Sequence, residues 1–98
     1  MSNEARRQAW RALMQSGRLV RVPAVYDGLS ARIAQEAGFP AVAFSGNAVS
    51  ASLLGMPDVG MLGMSENVEH VGRIARQLEI PVVCDADTGY GGVLNVVR

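Results

Sequence analysis

Three short apolar runs, residues 19–25, 41–44 and 80–84, each lead into small polar residues and then, directly or after a loop, into a stretch patterned for a helix. That alternation constrains the fold more than any other feature. A helix between two strands spans far more residues than a hairpin turn, so consecutive strands lie parallel and are joined by right-handed crossovers. The third run is almost wholly apolar, as a strand covered on both faces should be. The expected class is therefore α/β, either an open doubly wound sheet or the opening of a (β/α)₈ barrel. Both architectures hold ligands at the carboxyl ends of their strands.

The helical stretches carry their own punctuation. Residues 3–16 are rich in helix formers, with Trp10, Leu13 and Met14 on one side and Gly17 as the stop. Asp27 is placed to cap a second helix whose apolar positions, Leu29, Ile33 and Ala37, recur every four residues, and Gly38 and Pro40 end it. A short helix of small residues follows the second strand as far as Ser52, and residues 55–63 read as a loop. Ser65 is placed to cap another helix, with Val68, Val71, Ala75 and Leu78 as its buried stripe. Pro23 weakens the first strand near its middle, and residues 93–98 open a further helix.

Formal charge is zero, with nine basic residues, all arginine, against nine acidic ones. No basic stripe points to nucleic acid, and no apolar run is long enough to span a bilayer. The N-terminus lacks the apolar segment of a secretory signal. Cys84 is the only cysteine, which excludes an internal disulfide and fits a reducing compartment, so a cytoplasmic setting is expected.

The strand ends supply the chemistry. They are Tyr26-Asp27, Ser45-Gly46-Asn47 and Asp85-Ala86-Asp87. In extended chain, Asp85 and Asp87 would face one side, roughly 6–7 Å apart along the strand. Two such carboxylates repel and need a cation or strong donors. A hard cation such as Mg²⁺, with one or two carboxylates and otherwise water and substrate oxygens, satisfies that need. The alternative is that Asp87 caps a turn and Asp85 accepts backbone N–H bonds. An EF-hand is excluded, because its sixth and twelfth positions would be Tyr90 and Val96 rather than glycine and glutamate. A dinucleotide fingerprint is excluded by Leu94 at the third glycine position. Ser45-Gly46 offers a hydroxyl and backbone N–H groups to an anionic oxygen, or Ser45 serves only as an N-cap. Asp58, after Pro57, is either an outer partner of a metal or a turn residue. Cys84 alternates away from Asp85 and is expected in the core, and His70 is expected to be structural or at the surface.

Together, Val25-Tyr26-Asp27-Gly28-Leu29-Ser30-Ala31, Phe44-Ser45-Gly46, Leu54-Gly55-Met56-Pro57-Asp58, Asp85-Ala86-Asp87-Thr88-Gly89-Tyr90-Gly91 and Asn95-Val96-Val97-Arg98 resemble the isocitrate lyase/phosphoenolpyruvate mutase superfamily. The resemblance implies the N-terminal part of a (β/α)₈ barrel, with about three parallel strands, in proteins that usually form tetramers. It implies a Mg²⁺ site in which Asp85 binds the metal while Asp87 and Asp58 hold its waters. Ser45 and Gly46 match the segment that grips the substrate's carboxylate and keto oxygens. The implied chemistry stabilises an enolate or oxyanion of a small 2-oxo or 2-hydroxy acid while a C–C or P–C bond is made or broken. Ala43 stands where methylisocitrate lyases commonly carry an aromatic hydroxyl, and Asn47 where they often have glycine.

A whole barrel needs about 250 residues, so residues 1–98 are expected to be an incomplete barrel domain, inactive by itself and prone to self-association. Tyr90-Gly91-Gly92 is compatible with a carbon–carbon lyase of the 2-methylisocitrate type. The alternatives are an oxaloacetate decarboxylase, a phosphoenolpyruvate or carboxyphosphonoenolpyruvate mutase, and, from another class, a non-catalytic metal-binding or assembly module.

Overall fold

A computed structural model describes the whole of Met1–Arg98. Helix α1 (Asn3–Gln15) is capped by Ser2, whose Oγ accepts a hydrogen bond from the Ala5 N–H. The N-terminal ammonium reaches Glu79 at 2.8 Å, beside the entry to the third strand.

Strand β1 is only Ala24–Val25, much shorter than the apolar run predicts. Proline has no N–H to give the ladder, and Pro23 contributes only its carbonyl, which accepts from the Ala43 N–H at 3.0 Å. Residues before it find no strand partner, and Leu19 is exposed. Strands β2 (Val42–Phe44) and β3 (Val82–Cys84) fall within their expected runs. All pairing is parallel in the order β1-β2-β3, with Val25 opposite Phe44 and Phe44 opposite Cys84.

Helix α2 (Gly28–Glu36) begins as expected at Asp27. The Asp27 carboxylate accepts from the Ser30 N–H at 2.7 Å, and Ser30 Oγ accepts in return from the Asp27 N–H at 3.2 Å. This reciprocal cap fixes the rotation of the helix. It turns Ala31 and Ala34 onto the sheet and leaves Leu29 and Ile33, 70% and 60% exposed, facing outward. The expected apolar stripe of Leu29, Ile33 and Ala37 is thus corrected: the inward face is built of alanines, which let helix and sheet approach closely.

Helix α3 (Gly46–Val49) runs directly into a wider π-type turn, Ser50–Leu54, closed by Gly55 at φ +64°. Helix α4 (Met64–Ala75) starts at Gly63 rather than Ser65; Glu66 Oε1 accepts from the Gly63 N–H at 3.1 Å. Its inward stripe also shifts. Val71 and Leu78, beyond the helix, are buried as expected, but Val68 is 64% exposed and Asn67 takes the inward position. Helix α5 (Val93–Val97) is short and carries no buried residue.

Val25, Val42 and Phe44 meet Ala31, Ala34, Val71 and Leu78 in one core on the helix-covered side of the sheet. His70 closes it at the top: Nε2 donates to the Tyr26 carbonyl at 2.8 Å, and its ring meets Phe44 edge-on. The opposite face, carrying Ala24, Ala43 and Val83, is uncovered or half-covered. Parallel strands with helices on one face are the arrangement of consecutive βα units in a (β/α)₈ barrel. None of the helices is long and apolar enough to cross a membrane.

Candidate active site

Strand β2 delivers Ser45 and Gly46 to the carboxyl edge of the sheet. Ser45 Oγ accepts from the Ala48 N–H at 3.4 Å and so acts as the N-cap of α3. Its neighbour Gly46 turns its backbone N–H toward β3 and donates to Asp85 Oδ2 at 3.2 Å. The contact is close because residue 46 has no side chain. A Cβ there would lie 2.6 Å from Asp85 Oδ2 and 3.3 Å from Asp58 Oδ2. The two carboxylates therefore meet over the bare face of Gly46, although 27 residues separate them in sequence.

Asp85 begins just beyond β3 and remains hydrogen-bonded to the sheet through its N–H, which donates to the Phe44 carbonyl at 3.1 Å. Its other carboxylate oxygen, Oδ1, accepts from the Asp87 N–H at 2.8 Å. Asp87 does not continue the strand. It lies at φ +50°, with Gly89 at +95° and Tyr90 at +60°, so the chain coils in the left-handed region directly after the sheet. Aspartate tolerates that region better than most residues; tyrosine is disfavoured there. The extended spacing expected for Asp85 and Asp87 is therefore corrected to a turn in which one carboxylate caps the other residue's N–H.

Asp58, Asp85 and Asp87 line one small cavity with Gly46, Ser50 and Tyr90. About 10 Å³ wide to a water-sized occupant, it has room for roughly one water-sized group. Ser45 is not on its wall. Ser50, buried behind α3, is, and nothing in the sequence marked it. No three acidic, histidine or cysteine side chains converge as a closed metal cage. The donor set is nonetheless all oxygen, with two carboxylates at a bare glycine, and this fits a Mg²⁺ ion that completes its shell with water and ligand.

Sequence reasoning missed one further residue, Asn67. Asn67, 5% exposed on α4, donates from Nδ2 to the Asp85 carbonyl at 3.0 Å and to Tyr90 Oη at 2.7 Å. Its signal was present: a polar residue four before Val71 on an otherwise apolar stripe. Burial pushes the Tyr90 hydroxyl upward, against the Asn67 hydrogen bond that lowers it, and the charges of Asp85 and Asp87 add to the rise. Tyr90 therefore stays protonated. Cys84 is exposed, which corrects the expectation of a core cysteine: β3 is an edge strand here, with nothing packed beyond it. Partial desolvation raises its thiol, outweighing the hydrogen bond from Asn67, so thiolate is scarce and Cys84 is a poor nucleophile.

The phosphoenolpyruvate phosphomutase family matches residues 10–98. An oxaloacetate decarboxylase of Bradyrhizobium sp. (strain ORS 278) is 42% identical over 98 residues, all of this chain and 34% of that protein. A phosphonopyruvate hydrolase solved with oxalate and Mg²⁺ superposes with TM-score 0.86 at 41% identity, over 93% of this chain and 32% of that one. A 2,3-dimethylmalate lyase, described as a member of the PEP mutase/isocitrate lyase superfamily, superposes with TM-score 0.82 at 39% identity, over 96% of this chain and 34% of that one. The chain thus spans about a third of the length of the relatives it matches.

Proposed function

This chain belongs to the phosphoenolpyruvate phosphomutase family, and on that premise we propose that it supplies a Mg²⁺- and carboxylate-binding site to an enzyme that breaks a carbon–carbon bond beside a 2-oxo group. The observation that carries this reading is the meeting of Asp85 and Asp58 over Gly46 at the strand ends. Asp85 would hold the metal, and Asp87 and Asp58 would hold its waters. When bound, Mg²⁺ supplies Lewis-acid stabilisation of negative charge on an oxo group.

Small dicarboxylates of the oxaloacetate type are the proposed substrates, supported by the decarboxylase relative. In decarboxylation the bond between the methylene carbon and the distal carboxylate breaks and CO₂ leaves. The electron pair passes to the methylene carbon and the 2-oxo oxygen, and a proton then replaces the lost carboxylate. The Ser45 hydroxyl, whose lone pair caps α3, keeps its hydrogen to donate to a substrate carboxylate. Gly46 keeps the cavity open for the acidic residues. The single cysteine fits a cytoplasmic enzyme.

A second reading, a lyase acting on 2-methylisocitrate, is favoured by Tyr90-Gly91-Gly92 and by the likeness to 2,3-dimethylmalate lyase. Turnover of the full-length protein with oxaloacetate, 2-methylisocitrate and phosphonopyruvate, with and without a chelator, separates these readings. The expected result is Mg²⁺-dependent release of pyruvate and CO₂ from oxaloacetate. Turnover of 2-methylisocitrate instead would support the second reading. Activity confined to phosphonopyruvate would overturn both, and Mg²⁺ binding without any turnover would favour a non-catalytic assembly module.

A further inference from the structure

One deeply buried polar side chain beside the candidate site is neither an acid nor a ligand. Asn67 sits near the start of α4, on the stripe that also carries Val71. Burying an amide this deeply is costly unless its hydrogen bonds are made. An amide nitrogen has two hydrogens, and Asn67 Nδ2 directs them at the Asp85 carbonyl, 3.0 Å away, and at Tyr90 Oη, 2.7 Å away. The Cys84 sulfur, at 3.5 Å, is a weaker third neighbour. The orientation of the amide is fixed chemically, because a backbone carbonyl only accepts.

These two bonds grip both ends of one segment. Asp85 opens the turn that follows β3, and Tyr90 closes it. Between them the backbone enters the left-handed region at Asp87 and Gly89, and Tyr90 itself lies at φ +60°. A bulky residue is disfavoured in that region, so the turn needs an external restraint. The local contacts give little: the Gly89 N–H donates to the Ala86 carbonyl, and the Asp87 N–H to Asp85 Oδ1. The restraint that ties the turn to the rest of the fold at both ends is Asn67.

We infer that Asn67 is a positioning residue for the cation site, a clamp from α4 that holds the Asp85–Tyr90 turn so that the Asp85 carboxylate lies over Gly46 beside Asp58. The inference rests on the Mg²⁺ reading of these carboxylates and adds a residue from an element that contributes no ligand. Residues that orient a ligand without touching the metal typically change metal affinity about 10–100-fold when removed.

The test measures binding of Mg²⁺ alone, by calorimetry on the full-length protein, with the melting temperature recorded for each variant. Asn67→Leu removes both donors at similar volume. Tyr90→Phe removes only the acceptor at the far end of the turn and leaves the buried amide in place. Ser2→Ala, which deletes the cap of α1, is the control for general loss of stability. Both clamp variants are expected to bind Mg²⁺ at least about 10-fold more weakly, while Ser2→Ala lowers the melting temperature and leaves affinity unchanged. If the unaltered protein binds Mg²⁺ and Tyr90→Phe binds it equally well, the clamp is refuted and the metal reading stands. If the unaltered protein binds none, the metal reading falls and the clamp with it. Should Asn67→Leu fail to fold, Tyr90→Phe decides alone.

Discussion

At the scale of single residues, two side-chain environments carry sharp expectations. Gly46→Ala would place a methyl group 2.6 Å from Asp85 Oδ2 and force that carboxylate to turn away. Overpacking costs roughly 1–3 kcal/mol, but alanine in a helix regains about 1 kcal/mol relative to glycine. The melting temperature should therefore fall modestly, while Mg²⁺ affinity falls at least about 10-fold; calorimetry on the variant reads both. Asp27 is a second case. The hydrogen bonds it accepts from Ser30 hold its carboxyl below the ordinary aspartate value, with a smaller contribution from His70. A depressed folded-state pKa gives stability that is present above the unfolded value, about 4, and is lost as pH falls through the folded one. Asp27→Ala should cost about 1 kcal/mol at neutral pH, and its deficit against the unaltered protein should shrink below pH ~4. Denaturant titrations at several pH values check this, and a deficit that grows on acidification would contradict it.

At the scale of elements, capping was more legible than facing. Asp27 before a helical pattern stands where its chemistry requires, although the cap expected of Ser65 falls two residues earlier, at Gly63. The inward face of α2 does not coincide with its most apolar positions. Leu29 and Ile33 advertise themselves by hydrophobicity, yet the cap rotates α2 so that Ala31 and Ala34 meet the sheet. Periodicity states that a face exists; the cap and the neighbouring strands choose which one is covered. Ala31→Leu should then overpack the α2–sheet contact and destabilise by about 1–3 kcal/mol, whereas Leu29→Ser should stay within about 0.5 kcal/mol. Equal effects in chemical denaturation would show that the faces had been assigned the wrong way round. On α4 only the first position of the expected stripe departs: Val71 and Leu78 are buried, but Asn67 points inward in place of Val68.

For the molecule as a whole, coverage is the governing quantity. Only 13 of 98 residues are buried, too few for a chain of this length to seal its core. The radius of gyration, 14.0 Å, exceeds the roughly 13 Å of a compact domain this size. Strands β1 and β3 both present a free edge, and one face of the sheet is largely open. Unpaired parallel edges and uncovered apolar surface favour association. The 98-residue chain in isolation should therefore sediment as oligomers or larger species and bind a hydrophobic dye. A monomer with a single cooperative melt would contradict this.

What the sequence alone determined is the part governed by local chemistry. It set the alternation of strands and helices, hence a parallel sheet, and the strand ends as the place for function. It also contained the acidic residues, because Asp85, Asp87 and Asp58 can be picked out by residue type and motif. Tertiary structure decided how they are arranged. Asp58 comes to Asp85 only because β2 and β3 are neighbours and Gly46 leaves the space between them open. Asp87 leaves the strand because the chain turns left-handed there, and Asn67 joins the site only because α4 packs over β3. The carboxylate pair after the third strand is thus written in the chain, but the distances that would let it hold a cation arise from contacts between residues far apart in sequence, which no local pattern encodes.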